Sequence, residues 1–108
     1  METVSQYLNW ARTEGFTHDF SVRDNKLCAA ECKKKYSGKD VKIVGFLRFE
    51  GESDPGDNSV AYMIETSDGI KGTLVDAYGM YADEAISKFL KGVYQDIRYN
   101  PEVQSGAA

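Results

Sequence analysis

The side chains best suited to binding or chemistry are a few charged and aromatic residues: Arg48, Asp76, His18, Tyr78 and Tyr81. The aspartate is the sharpest signal, because it stands among apolar residues at the end of a predicted strand, close to a glycine. Functional groups often occupy such strand ends, although a surface ion pair would give the same pattern. These five residues are therefore our candidate binding site.

Covalent catalysis has little support in this sequence. A serine or cysteine nucleophile needs a neighbouring base, and His18 is the single histidine of the chain. There is neither a G-x-S-x-G turn nor a glycine-rich phosphate loop. We therefore favour a protein that is not an enzyme and binds no cofactor, and we leave a small enzyme open.

Four acidic residues form a weak candidate cation site: Glu50, Glu52, Asp54 and Asp57. Their spacing fails the EF-hand pattern, because Pro55 takes the place of the required glycine and Ala61 that of the bidentate glutamate. An acidic hairpin loop is the favoured interpretation. We expect neither tight calcium binding nor a structural metal site.

Cys28 and Cys32 are expected as reduced thiols in a cytoplasmic protein. The sequence begins METVSQYLNW, without the basic and apolar regions of a secretory signal, and two cysteines are too few for a disulfide scaffold. On an extended strand their spacing separates the α-carbons by about 13 Å, beyond disulfide reach. With His18 they would supply three ligands, one fewer than a structural zinc site uses.

Composition predicts a single domain over residues 1–98, followed by a mobile tail over 99–108. The 108 residues carry a net charge of −4. This acidic balance argues against nucleic-acid binding, which requires a basic face, and the basic run at 33–35 is interpreted as solvated. No segment approaches the roughly 20 apolar residues that span a bilayer. We therefore expect a protein or small-molecule partner, and a monomer or weak homodimer.

Two helices are predicted, one near each end of the chain. The first fits residues 4–13, where apolar residues recur at helical spacing and Gly15 suits a left-handed residue after the helix. The second begins at Asp83, because apolar residues from 86 to 97 recur at the same spacing. Gly92 weakens that helix and could end it.

About five strands are predicted between the helices. Asp24-Asn25 is typical of a hairpin turn joining strands at about 17–22 and 27–32, although residue propensities would also allow a helix over 27–36. The remaining strands are predicted at 41–49, 59–66 and 70–78.

Strand register follows from the turns. A two-residue turn at Asp68-Gly69 pairs Ala61 with Asp76, and a hairpin centred between residues 54 and 55 pairs Arg48 with Ala61. Arg48 and Asp76 then lie in one row and could form a salt bridge or share a ligand. The same register collects seven apolar residues on the opposite face, which we expect helices to cover: Ile43, Leu47, Phe49, Val60, Tyr62, Ile64 and Val75.

The predicted fold is α+β: an antiparallel sheet in meander order with both helices on one face. The other face would stay open, with four aromatic residues as candidates for an exposed patch: Tyr7, Trp10, Tyr78 and Tyr81. This architecture favours a binding or regulatory module that uses the open face or the loop at 50–57. The alternative is a small enzyme, or a nucleotide or sugar-phosphate binder, centred on Asp76, Arg48 and His18.

Four segments carry specific motifs: F-x-H-D-F (16–20), R-F-E-G (48–51), S-D-P-x-D-x-S-V-x-Y (53–62) and G-x-K-G-x-L-V-D-A-Y-G-x-Y (69–81). Over roughly residues 7–90 the chain resembles a family of small bacterial proteins without established function. Some members carry a phosphoribosylpyrophosphate synthetase label. The present chain is too short for that two-domain enzyme, and the residues after Asp76 are not its Thr/Gly phosphate loop.

Overall fold

The computed structural model describes residues 4–29, 33–49, 59–77 and 84–99 and has an α+β fold. Its helices are α1 (Val4–Thr13) and α2 (Glu84–Leu90), with a 3-10 turn at Gly38–Asp40. Its strands are β1 (His18–Asp19), β2 (Ser21–Arg23), β3 (Lys26–Ala29), β4 (Lys34–Tyr36), β5 (Val41–Phe49), β6 (Ser59–Thr66), β7 (Lys71–Ala77) and β8 (Tyr94–Tyr99). Neither helix is long and apolar enough to cross a lipid bilayer. The acidic loop, Tyr78, Tyr81, Cys32 and residues 100–108 lie outside the described residues.

The strands form two sheets rather than the predicted antiparallel meander. The main sheet has the order β1-β7-β6-β5-β8, and the small sheet has the order β2-β3-β4. Strands β5, β6 and β7 pair antiparallel as predicted, but β1 is parallel to β7 and β8 is parallel to β5. The main sheet is therefore mixed, because each of its edges receives a strand that returns from elsewhere in the chain.

The first helix and the Asp24-Asn25 hairpin are confirmed. Helix α1 covers the predicted residues, and Gly15 after it has a φ of +96°. Asp24 and Asn25 have φ values of 54° and 60°, which match a two-residue hairpin turn between β2 and β3. Residues 27–29 and 34–36 are strands, so the helical alternative over 27–36 is wrong for the part described.

The C-terminal helix is shorter than predicted. It ends at Leu90, and the Gly92 and Val93 amides donate to carbonyls three residues back in a tight turn. The chain then enters strand β8, so the extension of the helix to 97 is wrong. β-Branched and aromatic residues around Gly92 favour a strand once the helix stops.

Both faces of the main sheet are covered, and the two helices lie on opposite faces. One face of the main sheet, here called the α2 face, packs against helix α2 and the small sheet. The residues buried there form one cluster: Phe20, Leu27, Ala29, Tyr36, Val41, Ile43, Ile64, Leu74, Ile86, Phe89 and Val93. The opposite face, here called the α1 face, packs against helix α1 through a second buried cluster: Tyr7, Ala11, Phe16, Val44, Leu47, Phe49, Ala61 and Met63. The predicted single covered face is therefore wrong.

A bulge in β5 explains part of this difference. The pairing of β5 with β6 shifts by one residue between Ile43 and Gly45. Because side chains alternate along a strand, the extra residue sends Leu47 and Phe49 to the face opposite Ile43. The predicted apolar set is thus divided between the two faces, and Val75, which is 39% exposed, belongs to neither core.

A hydrogen-bond cluster around Asp68 joins the small sheet to the β6–β7 turn. The Tyr36 hydroxyl donates to Asp68 at 3.0 Å, and the Thr66 hydroxyl donates to the same carboxylate. Lys34 lies 3.8 Å from it. The Thr66 and Tyr36 hydroxyls and the Lys34 charge hold the pKa of Asp68 below its ordinary value. Burial and the hydrogen bond to Asp68 raise the pKa of Tyr36.

Candidate functional site: a pocket beside Arg48

Arg48 and Asp76 lie in one row across three strands, as predicted, but the residue between them is Val60. Arg48 pairs with Val60 on β6, and Val60 pairs with Asp76 on β7. Directly paired residues share a face of the sheet, so both charged side chains lie on the α2 face. The predicted middle residue, Ala61, is wrong because each pairing is shifted by one residue in the same direction.

The β6–β7 shift has a clear cause in the turn. The Thr66 amide donates to the Ile70 carbonyl, and the Ile70 amide donates to the Thr66 hydroxyl at 2.9 Å. Three residues, Ser67–Gly69, therefore form the loop, and Gly69 has a φ of +93°. This geometry is the three-residue hairpin with a left-handed glycine rather than the predicted two-residue turn.

A small pocket opens beside the row on the α2 face. Its volume is about 100 Å³, and its lining residues are Ile43, Phe46, Arg48, Val60, Tyr62 and Gln95. The rings of Phe46 and Tyr62 lie 6.3 Å apart between centroids, tilted by 37°. Val60 is buried, whereas Arg48 is exposed. The pocket therefore combines an apolar floor and aromatic walls with one cationic group at its rim.

Tyr62 links the two charged residues electrostatically. Burial raises the pKa of Tyr62, and the Asp76 charge adds to the rise while the Arg48 charge opposes it. The phenol hydroxyl therefore stays protonated at neutral pH. The ion pairs between described residues do not include Arg48 with Asp76, and Asp76 is buried at 8% exposure. A direct salt bridge between the two is therefore not part of this geometry.

His18 does not join this site. It is exposed on β1, where it pairs with Gly72, and its Nδ1 lies 3.2 Å from the Lys71 carbonyl oxygen. Gly72 precedes Asp76 by four residues on β7, which corresponds to about 13 Å along the strand. The structure thus brings together two of the three charged residues predicted from the sequence.

The predicted aromatic patch is wrong for the residues described. Tyr7 is fully buried, and Trp10 is partly buried against the same core, with 5.8 Å between the ring centroids. Helix α1 turns both residues toward the sheet face that the sequence prediction left open. Tyr78 and Tyr81, the other members of the patch, lie outside the described residues.

The lysine prediction agrees with the described residues, whereas the cysteine prediction is met only at Cys28, since Cys32 is not described. Cys28 is a buried thiol on β3. Lys34 and Lys35 are exposed on β4 and lie near Asp68 and Asp24 respectively. Within the described ranges, no group of three or more histidine, cysteine, aspartate or glutamate residues could hold a metal ion. The residues 50–57 that carry the acidic loop are not described.

A larger groove, missed from the sequence, lies at the opposite end of β5 and β6. Its volume is about 350 Å³, and its lining residues are Lys39, Asp40, Val41, Lys42, Glu65, Thr66, Ser67 and Tyr94. Its two lysines and two acidic residues balance in formal charge. Tyr94 lies within the segment whose apolar spacing predicts a helix. The β-branched and aromatic residues from Val93 to Tyr99, following Gly92, are the strand signal that could have revealed it.

Comparisons with known proteins found no relative: the chain matches no family model, no curated protein and no solved structure. The arguments for function therefore rest on the residues themselves. Arg48 and Tyr62 line one small pocket with a cation and a neutral hydroxyl donor, and Asp76 lies in the same row as Arg48. That combination can bind a polar group.

Proposed function

We propose that the protein is a non-catalytic binding module whose Arg48 pocket holds an acidic side chain of a partner protein. The observation that carries this proposal is the row of Arg48, Val60 and Asp76 beside the pocket walled by Phe46 and Tyr62. Arginine presents a planar set of donors that matches a carboxylate. An exposed arginine at the rim of an aromatic pocket is a ready anchor for such a group.

The size of the pocket favours one side chain over a whole small molecule. Its volume of about 100 Å³ is well below the roughly 300–1,000 Å³ of typical small-molecule sites. A partner side chain would bring the rest of its binding energy from contacts outside the pocket. The protonated Tyr62 hydroxyl supplies a second donor to the bound carboxylate.

Charge balance favours a carboxylate over a phosphate. Arg48 contributes one positive charge, and the Asp76 carboxylate lies in the same row across Val60. A phosphate carries nearly two negative charges at neutral pH, so Arg48 alone would neutralise it less completely than it neutralises a carboxylate. A sugar phosphate would bind through the same Arg48 side chain. The experiment below therefore includes phosphate binding as one of its outcomes.

Catalysis is not part of the proposal. The described residues that line the pocket include no histidine, cysteine or serine. His18, the single histidine of the sequence, lies on the edge strand β1, where it pairs with Gly72 of β7. A nucleophile and a base within hydrogen-bond reach would be needed for covalent chemistry.

An NMR titration tests the proposal directly. Addition of N-acetylaspartate N-methylamide to the full chain should shift the amide resonances of residues that line the pocket. The shifts should disappear in Arg48→Gln and persist in Arg23→Gln, a matched change at an exposed arginine on β2. Inorganic phosphate is the competing probe, and stronger shifts with phosphate would replace a carboxylate partner with the sugar-phosphate alternative. No shift with either probe would refute the pocket as a binding site.

A further inference from the structure

We infer that two copies of this chain associate by antiparallel pairing of their β8 strands, which joins the two main sheets into one ten-stranded sheet. Among the described strands at sheet edges, β8 is the longest, with six residues against two or three for β1, β2 and β4. Its inner side pairs with β5 at Tyr94, Gln95 and Tyr99, with a register irregularity that leaves 96–98 without a partner on β5, and no described strand pairs with its outer side. An edge of this kind is a template for another strand.

The sequence of β8 is self-complementary in charge. If the two-fold axis passes through Ile97, Asp96 of each copy lies directly opposite Arg98 of the other. The Arg98 Nε lies 3.1 Å from Asp96 within one chain, so the two side chains project from the same face, as this pairing requires. Opposite charges that face one another across strands stabilise the pair. The dimer would therefore contain two equivalent Asp96–Arg98 contacts.

The exposed apolar side chains of β8 also favour a contact centred on Ile97. Ile97 is 38% exposed and Tyr94 is 69% exposed, so β8 carries two of the three large apolar side chains exposed among the described residues. In the proposed register Ile97 packs against its own copy at the axis. Apart from Tyr99, which packs against the core on the α1 face, the rest of the strand is polar, so the pairing buries a small area. A small interface of this kind gives a weak, concentration-dependent dimer.

The small sheet has an edge with the opposite character. Strand β4 carries Lys34 and Lys35, both exposed, and self-pairing would place lysines against lysines. Like charges directly opposite one another destabilise a strand pair. The contrast between the two edges selects β8 as the association surface and supplies a control surface on the same molecule.

Charge exchange tests both the surface and its register, by sedimentation equilibrium of the full chain across a dilution series. The wild-type chain should show reversible dimerisation. Asp96→Arg places only positive charges at the two positions, and Arg98→Asp places only negative charges, so each variant alone should associate about tenfold more weakly. An equimolar mixture of the two variants should associate at least as strongly as wild type, because every cross-strand pair is then attractive.

Two further variants keep the test decisive. Ile97→Lys places two like charges at the axis and should abolish association, whereas Lys35→Glu on β4 should leave it unchanged. Thermal unfolding of each variant, measured alone, confirms that the fold is retained. A wild-type chain that stays monomeric at high concentration would overturn the inference, as would a mixture that associates no better than its separate components.

Discussion

Replacement of Tyr7 by phenylalanine should stabilise the protein, although it removes a polar group. Tyr7 has no exposed surface, and its ring packs edge-on against Phe49 with 6.0 Å between centroids. Its hydroxyl has no hydrogen-bond partner in the part of the chain that the structure describes. Burial alone raises the pKa of Tyr7 far above its ordinary value. The hydroxyl has thus lost its water without a replacement.

The size of the effect follows from that loss. An unsatisfied buried hydroxyl costs about 1–3 kcal/mol in desolvation, whereas the ring contacts are unchanged in Tyr7→Phe. We expect a gain near the lower end, about 1 kcal/mol, because removal of the oxygen also leaves a small gap. For a domain of this size 1 kcal/mol corresponds to a rise in Tm of about 4 °C.

Thermal unfolding followed by circular dichroism, with urea unfolding as a second measure, checks the expectation. Tyr94→Phe is the matched control, since the Tyr94 side chain is 69% exposed and its loss of a hydroxyl should leave Tm unchanged. A decrease in Tm for Tyr7→Phe would refute the reasoning. It would mean that the hydroxyl makes a stabilising hydrogen bond in the folded protein.

Three other substitutions test the packing and the electrostatics. Gly72→Ala should lower the free energy of unfolding by about 1–3 kcal/mol, because the added β-carbon would lie 2.8 Å from the Phe20 ring and overlap the β1 backbone. Asp68→Asn should lower Tm at neutral pH. Because the pKa of Asp68 is lowered in the folded state, this difference should shrink as the pH falls below about 4 and the carboxylate of the wild type becomes protonated. Asp76→Asn should lower the pKa of Tyr62, measured by carbon NMR of labelled tyrosine, because the carboxylate opposes formation of the phenolate.

Each of these substitutions has a control in the same chain. Gly92→Ala should change stability little, since the nearest atom to its added β-carbon is a carbonyl oxygen at 3.9 Å. Asp19→Asn, at an exposed position on β1, should change Tm at neutral pH much less than Asp68→Asn does. Arg48→Gln should move the pKa of Tyr62 upward, opposite to Asp76→Asn. Equal effects of a variant and its control would contradict the corresponding argument.

The proposed binding site and the proposed dimer occupy different parts of the main sheet. The pocket lies on the α2 face beside Arg48, whereas the edge contact is centred on Ile97. Gln95 lines the pocket and also belongs to β8, so strand pairing would stabilise one wall of the pocket. Carboxylate binding should therefore be measured for both the wild type and Ile97→Lys, which separates the two proposals.

Local chemistry was enough to predict the elements whose signals lie within a few residues. The bounds of α1 and β5 follow from short apolar periodicities, and the β2–β3 hairpin follows from Asp24-Asn25, which adopt positive φ as the turn requires. The sequence also sufficed to place Arg48 and Asp76 in one row. The β5–β6 and β6–β7 pairings are both shifted by one residue along β6 relative to the prediction. Arg48 and Asp76 therefore still share a row, but the residue between them is Val60 rather than Ala61.

The tertiary structure decided what covers each face and which strands meet. The apolar run from Val60 to Ile64 has buried residues on both faces, a pattern of two-sided burial that alternation alone does not resolve. The bulge at Val44 divides the β5 side chains between the two cores, and a three-residue turn at Ser67–Gly69 sets the partner of Asp76. Strand β8 depends on pairing with β5 more than 40 residues earlier. Such choices are set by which distant surfaces are buried together, and a local sequence pattern does not contain that information.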